Sequence, residues 1–187
     1  MIEISLLAGE SLLALLWLAC RGVVWLRQKH IDWKREAALA LMYVNLAVIL
    51  RFVFYPMDRL NGHVQPLVFD AAAMLPLRLN LIPIVHIMRF AGRRDMLLNL
   101  VGNVAMFIPG GVLMPLLYPK LNRFWKVTLA GALLSACIEL AQLPFASRAT
   151  DVDDLILNTA GCAIGYGLYA LGRLLAREHK KKEKGPQ

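Results

Sequence analysis

Between Leu134 and Gly167 the chain sets Glu139, Gln142, Arg148, Asp151, Asp153, Asp154 and Asn158 into a stretch that is otherwise strongly apolar. These residue types cover most of what a polar site needs. Paired carboxylates can serve as general acid and base or gather a divalent cation, carboxamides orient polar ligands, and a guanidinium grips phosphate or carboxylate. An ionisable group near a bilayer centre costs about 2.5 to 3.5 kcal/mol on insertion scales, so a helix carrying one must shield it with protein or water. Glu139 is the sharpest case, because a helix that only spans lipid has no use for a carboxylate there.

The elements that hold these residues follow from composition. The chain has 187 residues, of which 58% are hydrophobic, with a mean hydropathy of +0.54. A soluble domain of that size cannot bury so much apolar surface, and the long apolar runs predict an all-α, polytopic membrane bundle. The net charge of +8 might suggest nucleic acid, but the Lys and Arg residues lie mainly in short connections and the C-terminal tail rather than on one face, so they are read as a topology signal. Cys20, Cys137 and Cys162 fall in three separate apolar segments and read as small buried hydrophobes, not as metal ligands or a disulfide framework. His30, His63, His86 and His179 form no metal pattern, and no metal or cofactor is expected. Glu3 and Glu10 occupy the place where an export signal carries positive charge, so the first apolar segment is expected to remain as a membrane helix.

Five spans are predicted: Ile4 to Leu26, Glu36 to Tyr55, Met96 to Tyr118, Trp125 to Phe145, and Asp151 to about Leu175. Each is long enough to cross a hydrocarbon core of ~30 Å at ~1.5 Å per residue. Arg21 lies near enough to the end of the first span to snorkel. Met57 to Asp95 is interrupted by Pro56, Pro66, Pro76 and Pro83 at its start or within it, and reads as interfacial or re-entrant pieces acting as a lid. Residues 1–176 form a single transmembrane domain and 177–187 a basic, disordered tail. The basic loops at Arg27 to Arg35 and Lys120 to Lys126, together with the tail, alternate correctly to share one side. That side is expected to be cytoplasmic, with the N-terminus outside, although Arg89, Arg93 and Arg94 then set positive charge on the outer side.

Helical rise then places Asn103 and Glu139 each ~12 Å, and Asn158 ~10 Å, below the outer surface. Helical spacing aligns Asn99 with Asn103, Ser135 with Glu139 and Gln142, and Asp154 with Asn158, Gly161 and Gly165. Arg51, near the outer end of the second span, could add a cation. The expectation is a polar pocket open to the outer leaflet. Simpler roles remain open for several of these residues. Asn99, Asn103 and Gln142 could only join helices, at under ~2 kcal/mol each. Asp151, Asp153 and Asp154 could be solvated groups at a helix N-terminus, Gly161 and Gly165 a packing pair, and Arg148 a surface anchor.

The segments RLNLIPI from Arg78, NLVGNVAMFIPGGVLMPLL from Asn99 and the stretch from Leu134 resemble the VanZ-like family of membrane proteins. The family pattern falls on Asn80 and Pro83; on Asn103, Phe107, Pro109 and Gly111; on Ile138, Glu139 and Gln142; and on Arg148, Asp151, Asp153, Asp154, Asn158, Gly161 and Gly165. It covers roughly Arg78 to Leu171, with Ile84 and Gly110 as departures. The resemblance implies a multi-pass protein of the bacterial cytoplasmic membrane, in a family whose founding member confers low-level resistance to teicoplanin-type glycopeptides.

Three functions fit these residues. The first is an envelope protein binding a lipid-anchored cell-wall precursor or acylated glycopeptide, with Arg51, Arg78 and Arg148 on anionic groups, the carboxylates and Asn80 on amines or sugar hydroxyls, and apolar helix faces on an acyl chain. The second is an intramembrane enzyme acting on a lipid headgroup through Glu139 and Asp153 or Asp154, although no nucleophile motif is present. The third is a scaffold whose polar residues lock helices together. Membrane lipids are the expected partners and nucleic acid is not, while the oligomeric state is not encoded in any recognisable motif.

Overall fold

The structure is a computed structural model that describes residues 2–28, 30–55, 59–60, 62–70, 72, 79–80, 82–83, 92–145 and 150–183. Its five long helices are α1 (Leu6–Arg27), α2 (Trp33–Ile49), α3 (Arg93–Leu117), α4 (Phe124–Gln142) and α5 (Val152–Glu183). Each span is long and apolar enough to cross a membrane, the second being completed by a π-helical turn, Leu50–Phe54, that prolongs α2.

Local signals explain the helix starts. Ser5 caps α1 by accepting from the Ala8 N–H, and Asp32 caps α2 by accepting from the N–H groups of Lys34 and Arg35. The first residues of the predicted first span are not helical. Ile2–Ile4 form strand β1, which pairs antiparallel with β4, Leu67–Phe69. Two further short pairs are formed among the described residues: β2 (Arg59–Leu60) antiparallel with β3 (His63–Val64), and β5 (Leu79–Asn80) parallel with β6 (Thr150–Asp151). The described parts of the Pro-interrupted segment are thus mainly short strands gathered at one end of the bundle. Phe69 bridges to Phe145 just past α4, and the two rings meet edge to face at 5.9 Å. Much of the rest of that segment lies outside the described residues.

The bundle has two unlike ends, one called acidic for its buried carboxylates Glu139, Asp151 and Asp153, although Arg51, Arg93 and Arg94 lie there too, and one called basic for its Lys- and Arg-rich connections. At the first lie β1, the end of the second span, the start of α3, and the turn from α4 into α5. At the second lie the α1–α2 loop, the α3–α4 connection and the C-terminal half of α5. There the predicted snorkelling of Arg21 gives way to an ion pair: its Nε donates to Glu36 Oε2 at 3.0 Å and Nη2 pairs with Oε1. Both side chains are about nine-tenths buried, 12% and 11% exposed, because α1 and α2 form a hairpin that closes over them. Arg21→Ala is expected to lower stability by about 1 to 2 kcal/mol, below the full penalty for an orphaned buried charge since each side chain keeps about a tenth of its surface exposed beside the α1–α2 loop. Arg21→Leu combined with Glu36→Leu should recover most of it, as read by detergent melting.

The α3–α5 interface is the most extensive, followed by α4–α5 and α2–α3, whereas α1 buries no residue fully. Glycine makes the first contact possible. A Cβ at Gly161 would overlap the Val104 carbonyl oxygen, one at Gly165 the Ile108 carbonyl oxygen, and one at Gly111 the backbone of Cys162. The packing role that helical spacing allowed for Gly161 and Gly165 is therefore their role in the fold. Cys162 is fully buried here as expected, but Cys20 and Cys137 are exposed on outward helix faces. Pro109 and Pro115 sit inside α3 without ending it. Around Pro109 the neighbouring carbonyls take side-chain donors from other helices: Asn45 Nδ2 donates to Met106 O at 2.8 Å, and Cys162 Sγ to Phe107 O at 3.6 Å.

Of the basic tail that composition suggested would be disordered, residues 177–183 are helical. α5 continues through Lys180, Lys181 and Lys182 to Glu183, and at 32 residues it exceeds the length needed to cross a bilayer.

Candidate functional site

The apolar core is formed by Ile49, Phe107, Ile138 and Cys162, from the second span, α3, α4 and α5. On its acidic-end side the same helices turn polar. Strand β6 delivers Asp151 to the start of α5, where it is the hub of the site. Its side chain accepts from the Asp153 N–H at 3.0 Å, which caps the helix, and from Asn80 Nδ2 at 3.2 Å. Its own N–H donates to Glu139 Oε2 at 3.0 Å. One residue therefore joins α4, α5 and β5.

Helical spacing attaches the rest. Asp154, in the first turn of α5, accepts from Asn103 Nδ2 at 2.6 Å, tying α5 to α3. One turn deeper, Asn158 Nδ2 donates to Ser135 Oγ at 2.9 Å, tying α5 to α4. Gln142 Nε2 donates to the Val53 carbonyl at 2.8 Å, which ties α4 to the π-helical end of the second span. That turn is a natural acceptor, because a helix end leaves carbonyls without intrahelical partners.

The site is sequestered. Glu139 and Asp153 are each 4% exposed, Asp151 6%, and Asn158 1%. Asp153 and Asp154 lie in the first turn of α5, at the positive end of its dipole. Besides these bonds, Gln142 Oε1 and Asn158 Oδ1 are buried acceptors with no partner among the described residues. The arrangement is rich in acceptors, so it suits a ligand that brings donors, such as an ammonium, an amide or sugar hydroxyls. Among the described residues no three His, Cys, Asp or Glu side chains converge as metal ligands would.

Of the residues singled out from sequence, Asn80, Asn103, Glu139, Gln142, Asp151, Asp153, Asp154 and Asn158 come together in this cluster. Asn99 is half-buried one turn before Asn103 and stands outside the bonds just described. Arg51 lies at the same end of the bundle, its Nη1 donating to the Tyr55 carbonyl at 3.3 Å and its guanidinium over the Phe52 ring. Arg78 and Arg148 lie outside the described residues. Two residues gained structural weight beyond their sequence signal. Tyr55 is 1% exposed and its Oη donates to the Ser5 carbonyl at 3.0 Å, in space that Gly9 leaves open, which docks α1. Asn45, a lone amide in an apolar span, borders an apolar groove of about 670 Å3 between α2 and α3, lined also by Val44, Val48, Ala105, Ile108 and Val112.

Comparison with known proteins gives two matches. The VanZ/LLP1 family model matches residues 39–174, most of the chain and the whole of the cluster just described. The protein VanZ of Enterococcus faecium is 36% identical over 73 residues, covering 39% of this chain and 45% of that protein, so the match spans less than half the length of the relative. No solved structure matches.

Proposed function

The chain belongs to the VanZ/LLP1 family and is a membrane protein, and from that premise we propose that it is an envelope protein that binds a lipid-anchored ligand and contributes to resistance against teicoplanin-type glycopeptides. The ligand is a cell-wall precursor or an acylated glycopeptide, held at the acidic end of the bundle. The observation that carries this reading is the burial of Glu139, Asp151 and Asp153 together where α4 meets α5. A helix hairpin can be locked by carboxamides alone, and a bundle that buries three carboxylate residues at one point has built an acceptor surface beyond what assembly requires.

Within this reading, amines or sugar hydroxyls of the ligand meet Glu139, Asp153 and Asp154, while its anionic group meets Arg148, Arg78 or Arg51. The groove between α2 and α3 takes the acyl chain, its lining of Val44, Val48, Ala105, Ile108 and Val112 suiting hydrocarbon. In this reading the basic loops face the cytoplasm, so the acidic end meets the outer face of the bacterial cytoplasmic membrane. The residues on hand favour binding over turnover, since Glu139 Oε2 and Asp151 Oδ1 already hold structural hydrogen bonds.

Glu139→Gln provides the test, because the amide oxygen can still accept from the Asp151 N–H while the carboxyl group is lost. In a teicoplanin-sensitive host the variant is expected to reach wild-type membrane levels and melt like the wild type, yet give no more protection than the empty host. Arg148→Ala should behave the same way. Wild-type protection from both variants would end the proposal.

A further inference from the structure

A second built feature lies at the opposite, basic end, separate from the residues discussed so far. The C-terminal half of α5 passes the α3–α4 connection, and the two enclose a notch of about 210 Å3 lined by Asn122, Tyr166, Tyr169, Leu174, Arg173 and Arg177. Its wall is ordered. The Phe124 and Tyr166 rings meet edge to face at 6.0 Å, Tyr166 and Tyr169 lie 5.9 Å apart, and Tyr166 Oη donates to Asn122 Oδ1 at 3.4 Å. Arg173 lies over the Tyr169 ring, and its Nη1 donates to Tyr169 Oη at 3.1 Å. That bond uses one of five guanidinium donors and leaves the others directed by the same fork.

Tyr169 and Arg173 also border a second cavity on the α3 side of α5. This one, about 360 Å3, is otherwise apolar, lined by Val112, Leu116, Leu168 and Gly172. A cationic, aromatic notch and an apolar groove thus share a ridge. Their common occupant must be anionic at one end and hydrocarbon at the other. Exposed Trp125 and Tyr118 flank the region, the amphipathic rings expected at headgroup depth, so the notch lies at the level of lipid phosphates.

We propose that this end of the protein binds an anionic phospholipid, its phosphate held by Arg173 and Arg177 in the notch and one acyl chain lying in the groove along Val112, Leu116, Leu168 and Gly172. Bidentate guanidinium contacts hold the phosphate, and a lining that carries two arginines and no carboxylate favours a headgroup with net negative charge over a zwitterionic one. The lysines at positions 180 to 182 extend the positive field beyond the membrane and raise the local concentration of such lipids without forming the site.

Full-length protein in nanodiscs of equal phosphatidylglycerol and phosphatidylcholine, examined by native mass spectrometry after release, tests this. Wild-type protein is expected to retain phosphatidylglycerol preferentially, and the exposed pair Arg173→Gln with Arg177→Gln to lower that retention about tenfold, from the loss of two phosphate-facing cations. Gly172→Phe should lower it as much with every charge in place, since a Cβ there meets nothing within 4 Å and the ring fills the groove without disturbing the fold. Replacing the three lysines by Gln should change retention little. Undiminished retention in the arginine variant, or an equal loss in the lysine variant, overturns the proposal. Displacement of the lipid by inorganic phosphate together with full binding in Gly172→Phe would mean a free-anion site and would overturn it too. Detergent melting of each variant confirms that the bundle is intact.

Discussion

Gly165→Val is expected to lose about 3 kcal/mol or more of stability, a large share of what holds a domain of this size together. A Cβ at Gly165 would overlap the Ile108 carbonyl oxygen and press on Gly111 of the same helix, and neither is a flexible side chain that could swing away. Relief requires α3 and α5 to separate along their whole seam, which also strains the Cys162 backbone packed on Gly111 and the Asn103–Asp154 bond near the top of that seam. Detergent melting should show the loss directly, and a cysteine pair placed across α3 and α5 should cross-link poorly. Gly167→Val serves as the control, because its Cβ meets nothing within 4 Å and the melt should be unchanged. An unaltered melt in Gly165→Val would refute the close packing of the two helices.

The second large effect is expected at Asp151. Removing its carboxylate with Asp151→Ala takes away the acceptor for the Asp153 N–H and for Asn80 Nδ2. The buried Asp153 N–H so orphaned costs about 1 to 3 kcal/mol and the partly buried Asn80 amide about 1 kcal/mol, giving roughly 2 to 4 kcal/mol in all. The bond to Glu139 comes from the Asp151 backbone and survives, so the loss measures the hub's side chain alone. Asp151→Asn keeps an oxygen in the same place and should retain most of the stability while weakening resistance, if charge at the hub matters to the ligand. Equal melts for the alanine and asparagine variants would show that the side chain is not the anchor of the α5 terminus.

The five spans were legible because a lipid-facing helix advertises itself by length and hydropathy without reference to its neighbours. The cluster was legible for a related reason. A polar residue inside a membrane helix must face protein, so Asn103, Glu139, Asp154 and Asn158 could be brought together from rise and periodicity before any contact was known. What sequence did not reveal were pairings that depend on partners distant along the chain. Nothing in the two-residue segments at Leu79 and Thr150 announces a parallel strand pair, and Arg21 looks like a snorkelling end residue until Glu36 is seen beside it. The extension of α5 to Glu183 was missed because composition treats a run of lysines as solvated coil, whereas a helix already nucleated inside the membrane propagates through good helix formers at little cost.

The parallel joining of Asn80 to Asp151 has a consequence for how the protein is made. The two partners are separated by 71 positions, and both α3 and α4 lie between them. During synthesis Asn80 reaches the membrane surface long before its acceptor exists, and it keeps its hydration until the α4–α5 hairpin has been threaded across. Only the arrival of the first turn of α5 completes the cluster, so a nascent chain halted after α4 has four of the five long helices and none of the Asp151, Asp153, Asp154 and Asn158 side chains that close it.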